Sequence, residues 1–145
     1  MKTIAMTMLV TVSTLAAAAT DPVYTSRFSN NALGGYDAVS YHAGSPPQRG
    51  NTAFSHDYMG ATWLFANAAN RMAFAASPAQ YAPQYGGYCA WAAAQGYTAS
   101  GDPMQYSVVD GRLFLNYNAS VKRNWEADIP GFIKAADANW LGLLN

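Results

Sequence analysis

The chain has 145 residues, 51% of them hydrophobic, 14% aromatic and 11% charged. That is the size of one domain, with enough apolar material to bury a core, which excludes a disordered chain. Lys plus Arg equals Asp plus Glu at eight each, so there is no basic excess of the kind that draws nucleic acid or an anionic membrane surface. A single cysteine and two histidines exclude an internal disulfide, every multi-cysteine metal motif and a three-histidine zinc site.

Lys2 precedes an uncharged stretch from Ile4 that ends in four alanines, Ala16 to Ala19. A short apolar core closing on small residues predicts a secretory signal peptide over 1–19. It falls short of the roughly 20 apolar residues of a spanning helix, so no stable membrane insertion is expected once it is removed. Export to a periplasm or to the exterior follows. Residues 20–33 read as a polar mature arm and 34–145 as the domain proper.

After Gly34-Gly35, the β-formers Tyr36, Val39 and Tyr41 predict a strand or turn-strand over 36–41, and 44–50 is a loop by composition. Two short β runs, 54–58 and 61–65, flank Met59-Gly60 as a hairpin. Asn67 then caps a helix over 68–76 that Ser77-Pro78 ends. An aromatic turn, 81–87, leads into an alanine-rich buried helix over 88–95. Asp110-Gly111 between 106–109 and 112–116 predicts a second hairpin with a type I′ turn, because glycine tolerates the positive φ. Leu113 and Leu115 alternate with Phe114 and Asn116, which suits a strand with one wet face. A helix over 118–127 follows, and Asp128 with Pro130 starts another carrying Phe132, Ile133, Ala136 and Trp140 inward. The order predicts an α+β domain, a small antiparallel sheet with helices packed on one side, and no internal repeat.

Cys89 is the first candidate for chemistry. If Gly87 or Tyr88 caps the helix, Cys89 falls in its first turn, where free N–H groups favour the thiolate that binds metals and attacks oxidants. An unpaired thiol in an exported chain is unusual, although buried free cysteines often only pack. His56, on a predicted strand, and His42, at a strand end, are the imidazoles that could join Cys89 as a soft ligand set. Asp37 and Asp102, beside glycine and proline, read as turn-stabilising carboxylates. Tyr85 and Tyr88, with Trp91, are candidates to wall a small pocket beside Cys89.

Gly35-Tyr36-Asp37-Ala38-Val39, Phe54-Ser55-His56, Gly60-Ala61-Thr62-Trp63 and the run from Tyr81 to Ala90 resemble the YHS-domain family. Asp110 to Tyr117 and Ala135 to Trp140 resemble its exported, full-length branch. The resemblance implies a small α+β fold and, since YHS modules accompany heavy-metal and copper handling, a metal-binding role. Shorter modules carry Phe-Cys-Ser-x-x-Cys where this chain has Phe65-Ala66-Asn67-Ala68-Ala69, which leaves His56 and Cys89 of the donor set. Some members of the exported branch are labelled selenoproteins, and selenium at the position of Cys89 implies redox chemistry instead.

Three functions follow as expectations. The first is an exported module holding a soft or borderline metal ion, copper above all, through Cys89 and His56 with His42 as a third donor. The second is a thiol oxidoreductase in which Cys89 meets a small thiol or oxidant. The third is a non-catalytic ligand or interaction domain in which an aromatic cluster forms the pocket and Cys89 merely packs.

Overall fold

The structure, a computed structural model, describes residues 20–44 and 46–145. The signal-peptide reading, 1–19, lies outside the described residues. Among these, no helix is long and apolar enough to cross a membrane.

The domain is α+β. Strands β1 (Asn51–Tyr58) and β2 (Ala61–Phe65) form one antiparallel hairpin, and β3 (Asp102–Val109) and β4 (Arg112–Asn116) form another. The helices are α1 (Ala68–Ala76), α2 (Pro78–Tyr81), α3 (Ala90–Gln95), α4 (Ala119–Glu126) and α5 (Ile129–Leu143). The strands therefore make two two-stranded sheets where one small sheet was expected. The local signals act as anticipated at several points. Asn67 accepts the Asn70 N–H and so starts α1. Asn118, read as the first residue of its helix, is instead the cap of α4 and accepts the Val121 N–H. Asp128 accepts the Gly131 N–H and starts α5.

Residues 36–41 do not form a strand. Ala38–Ala43 is a 3₁₀ helix, because Asp37 Oδ1 accepts the N–H groups of Val39 and Ser40 and turns the chain there. The short α2 occupies part of what reads as an aromatic turn.

The two halves of the domain repeat one another, contrary to the sequence-based expectation. Leu33, Gly34 and Gly35 have φ of 54°, 58° and 87°, and Tyr85, Gly86 and Gly87 have φ of 56°, 62° and 83°. Each left-handed triplet leads to a tyrosine in an isolated bridge, Tyr36 with Arg49 and Tyr88 with Ser100. Each is followed by an N-cap residue, Asp37 or Cys89, then a short helix closed by a left-handed glycine, Gly44 or Gly96. Both hairpins have the same lengths and turn on a residue pair with positive φ, Met59-Gly60 and Asp110-Gly111. Both break register at the same place, between Asn51 and Ser55 and between Asp102 and Tyr106. Both end in an asparagine-capped helix with one large buried aromatic, Phe74 or Trp125. The duplication is one of backbone conformation, and the identities that persist are small or structural: the Gly-Gly-Tyr turn, the alanines after the caps, the glycines that close the short helix, precede the hairpin and form its turn, one strand leucine, and the capping asparagine.

Strand β4 joins the halves. Leu113 and Leu115 pack with Trp63, Phe65 and Phe74, whereas Phe114 packs with Tyr85, Trp125 and Ala136. Leu113, Phe114, Leu115 and Asn116 are all buried, so β4 has no wet face. The alternation instead distributes side chains between two cores.

Candidate functional site

Cys89 is the N-cap of α3, not a member of its first turn. The reason is the left-handed Tyr85-Gly86-Gly87 turn, which delays the helix until Ala90. The Cys89 N–H donates to Ala99 O, and the Trp91 N–H is capped by Asn116 Oδ1 at 3.1 Å rather than by the sulfur. In the first half the corresponding cap is the carboxylate of Asp37. The second half thus moves its acceptor from the cap residue to the end of β4 and leaves an apolar atom at the cap. Cys89 is 1% exposed, its Sγ lies 3.5 Å from Asn116 Oδ1, and it borders an apolar cavity of about 180 Å³ with Trp91, Tyr97, Tyr117 and Val121. Asn116 Nδ2 is buried with no partner among the described residues, which costs about 1–3 kcal/mol.

The structure does not bring the three expected metal donors together. The His42 Nε2 lies 3.3 Å from Tyr81 O and its ring stacks edge-on against Tyr81. The His56 ring packs against Phe74 in the first hairpin. Neither imidazole hydrogen-bonds to Cys89, and no three His, Cys, Asp or Glu residues among the described residues form a group that could hold a metal ion. A thiol buried in this way is expected to resist iodoacetamide in the native protein and to react stoichiometrically once denaturant is added. Rapid alkylation without denaturant, followed by mass spectrometry, would contradict this placement.

The aromatic residues expected to share a pocket part company. Trp91 borders the Cys89 cavity. Tyr88 stacks on Trp140 and Tyr24 and donates its hydroxyl to Asp21 O, so it fastens the N-terminal arm. Only Tyr85 reaches a polar cleft. Asp37 and Asp102 do stabilise turns, Asp102 by accepting the Met104 N–H.

That cleft, of about 350 Å³, lies between the turn of the first hairpin, residues 83–86 and α5. Its aromatic walls are Tyr58, Trp63, Tyr85 and Trp140, and its polar groups include Gln84 and Asp137. Asp137 Oδ1 accepts from the Tyr85 hydroxyl at 2.9 Å and from Arg112 Nη2 at 2.7 Å, while Oδ2 accepts from Arg112 Nη1 at 3.1 Å. Arg112 Nη2 also donates to Gln84 Oε1 at 2.9 Å. The guanidinium beside Asp137 holds its carboxyl below the usual carboxylate range, against the opposing effect of burial. Burial, and next the carboxylate of Asp137, push the Tyr85 phenol well above its ordinary value, so it stays a donor. Because the Asp137 value is depressed, its stabilising effect is complete above the unfolded-state value and is lost as pH falls through the folded one.

A wider cavity, about 540 Å³, opens between the two Gly-Gly turns. Its lining includes Asp102 and Asn118, whose Oδ1 atoms accept backbone N–H groups, together with Ser26, Asn31 and Ser100. The smaller cleft differs in that a charge pair, a phenol and an amide are mutually held at a wall that also offers aromatic surface.

No protein-family model, curated protein or solved structure matches the chain. The resemblance to YHS domains accordingly stands on the residues quoted for it. Sequence reasoning missed Gln84, Arg112, Asp137 and Trp140 as site residues. One signal for the last two was available, since Asp137 and Trp140 are three positions apart on a helix and so share a face.

Proposed function

We propose that this is an exported, non-catalytic module that binds a small ligand in the cleft that Tyr85 and Asp137 line. The observation that carries the reading is the closed Gln84–Arg112–Asp137–Tyr85 network at an aromatic wall. Such a network fixes polar groups in advance of binding, so ligand affinity is not spent on ordering them. Trp140, half-buried between Tyr85 and Tyr88, presents ring surface beside it.

The metal-ion reading through Cys89, His56 and His42 gains nothing from their separate seats. The redox reading requires a reagent to reach a sulfur that is 1% exposed at the N-cap of α3, by way of the cavity that it borders. The resemblance to YHS modules is compatible with a binding role of either kind.

The test is a fragment screen by thermal shift on the protein lacking residues 1–19 and on Trp140→Ala. Ligands at about 100 times their Kd stabilise by about 2.7 kcal/mol. Hits that raise the melting temperature of the wild type and leave that of Trp140→Ala unchanged are expected. The reading fails if hits act equally on both proteins, or if copper binds stoichiometrically and is lost in Cys89→Ser and His56→Ala.

A further inference from the structure

We infer that residues 21–24 are a strap that closes one side of the cleft, and that docking of this strap and occupancy of the cleft reinforce each other. This rests on the reading of the cleft as the binding site and adds how that site is opened and closed.

Pro22 and Val23 line the cleft together with Gly86 and Trp140. Residues 21–24 belong to no helix or strand, and they are tied down at few points. The Tyr24 N–H donates to Gly86 O at 2.9 Å, and Asp21 O accepts the Tyr88 hydroxyl at 3.0 Å. The Tyr24 and Tyr88 rings lie 5.5 Å apart, and Val23, 5% exposed, seats in the first core. The strap runs so close to the second Gly-Gly turn that a Cβ on Gly86 would collide with the Pro22 carbonyl. At Gly34, its counterpart in the first half, the nearest atom to such a Cβ is a side-chain carbon of Pro103, 3.3 Å away. The close approach of backbone to backbone is therefore a feature of the half that carries the cleft.

A segment held by so few ties opens locally, at a lower free energy than the cores. Undocking removes Pro22 and Val23 from the cleft wall. It also uncovers Tyr88, whose ring stacks on Trp140 at 5.9 Å. An occupant meets the complete wall only while the strap is docked, so it binds that state more tightly. The factor by which docking strengthens binding is, by linkage, the factor by which binding strengthens docking. Whatever detaches residues 21–24 thus empties the cleft.

The experiment is amide hydrogen exchange on the protein lacking residues 1–19, read residue by residue in nitrogen–proton spectra. Without ligand, the Tyr24 N–H is expected to be protected about a hundredfold less than the slowest amides of β4, because the strap opens without global unfolding. Tyr88→Phe removes only the hydroxyl that meets Asp21 O. It is expected to speed Tyr24 exchange about tenfold, the loss of roughly one hydrogen bond, and to leave β4 as it was. The probe is the screened fragment whose thermal shift depends on Trp140. At saturation it should slow Tyr24 exchange in the wild type, and it should bind Gly86→Ala more weakly. Circular dichroism checks that Gly86→Ala folds, and the wild-type exchange decides the matter if it does not. If the Tyr24 N–H is as protected as β4, the strap is a fixed wall and the inference is overturned. If the fragment binds and Tyr24 exchange is unchanged, the inference is overturned and the cleft reading survives. If no fragment depends on Trp140, both fall.

Discussion

Replacing Asp37 by alanine is expected to lower the unfolding free energy by roughly 3–5 kcal/mol, one of the two largest single-site losses in the domain. Asp37 is fully buried and has no cation beside it among its hydrogen-bond partners; its charge is held by donors alone. Oδ1 accepts from the Val39 and Ser40 N–H groups, and Oδ2 from the Ala66 N–H at 2.9 Å and Asn70 Nδ2 at 2.7 Å. One side chain therefore starts the 3₁₀ helix, catches the chain as it leaves β2, and holds the first turn of α1. Alanine would leave several donors unsatisfied, each costing about 1–3 kcal/mol where buried. Asparagine keeps the shape but turns one of its atoms into a donor facing donors, so an intermediate loss is expected. Urea denaturation of wild type, Asp37→Ala and Asp37→Asn checks the order. A loss below about 1 kcal/mol for alanine would show that the network is not what fixes this corner.

Phe74→Ala is the second, at about 3–5 kcal/mol from lost burial and the cavity left behind. The Phe74 ring is fully buried and meets Trp63 at 4.8 Å, Phe65 at 5.0 Å and Tyr58 at 5.8 Å between centroids. Its counterpart in the second half is Trp125, against Phe114 at 5.3 Å. Because β4 supplies Leu113 and Leu115 to one core and Phe114 to the other, the halves share a wall. Phe74→Ala and Trp125→Ala should each lower one common unfolding transition, followed by circular dichroism and by tryptophan fluorescence. Two separated transitions in either variant would show that the halves unfold independently.

What the sequence revealed was local. Met59-Gly60 and Asp110-Gly111 mark their hairpins because glycine carries the positive φ that such turns require. Asn67, Asn118 and Asp128 mark helix starts because each side chain meets an N–H three residues ahead. The failures were non-local. The strand expected over 36–41 gives way to Asp37, whose second oxygen is bound by Ala66 and Asn70 from across the fold. The wet face expected of β4 is absent because two cores, not one, flank it. The duplication is faint in the sequence because a left-handed turn constrains φ far more than it constrains side chains: Leu33 and Tyr85, both buried, have φ of 54° and 56° with side chains of different chemistry.

The site was partly legible for the same reason. Tyr85, Tyr88 and Trp91 are close in sequence, but Tyr85 and Tyr88 flank Trp140 whereas Trp91 borders the cavity beside Cys89. The cleft is assembled from the turn of the first hairpin, residues 83–86 and the middle of α5, and of its polar network Gln84 and Tyr85 lie in the aromatic turn while Arg112 and Asp137 come from elsewhere in the chain. Cys89 stands out in the sequence as a lone thiol, and the structure buries it beside Asn116.

The most direct measurement uses the four tryptophans as separate reporters. Trp63 and Trp140 line the cleft, Trp91 lines the cavity beside Cys89, and Trp125 is in the second core. In a two-dimensional nitrogen–proton spectrum, a ligand found by the screen should move the indole signals of Trp63 and Trp140 and leave those of Trp91 and Trp125 in place. Movement of Trp91 with Trp63 and Trp140 unchanged would put the ligand beside Cys89 and contradict the assignment of binding to the cleft.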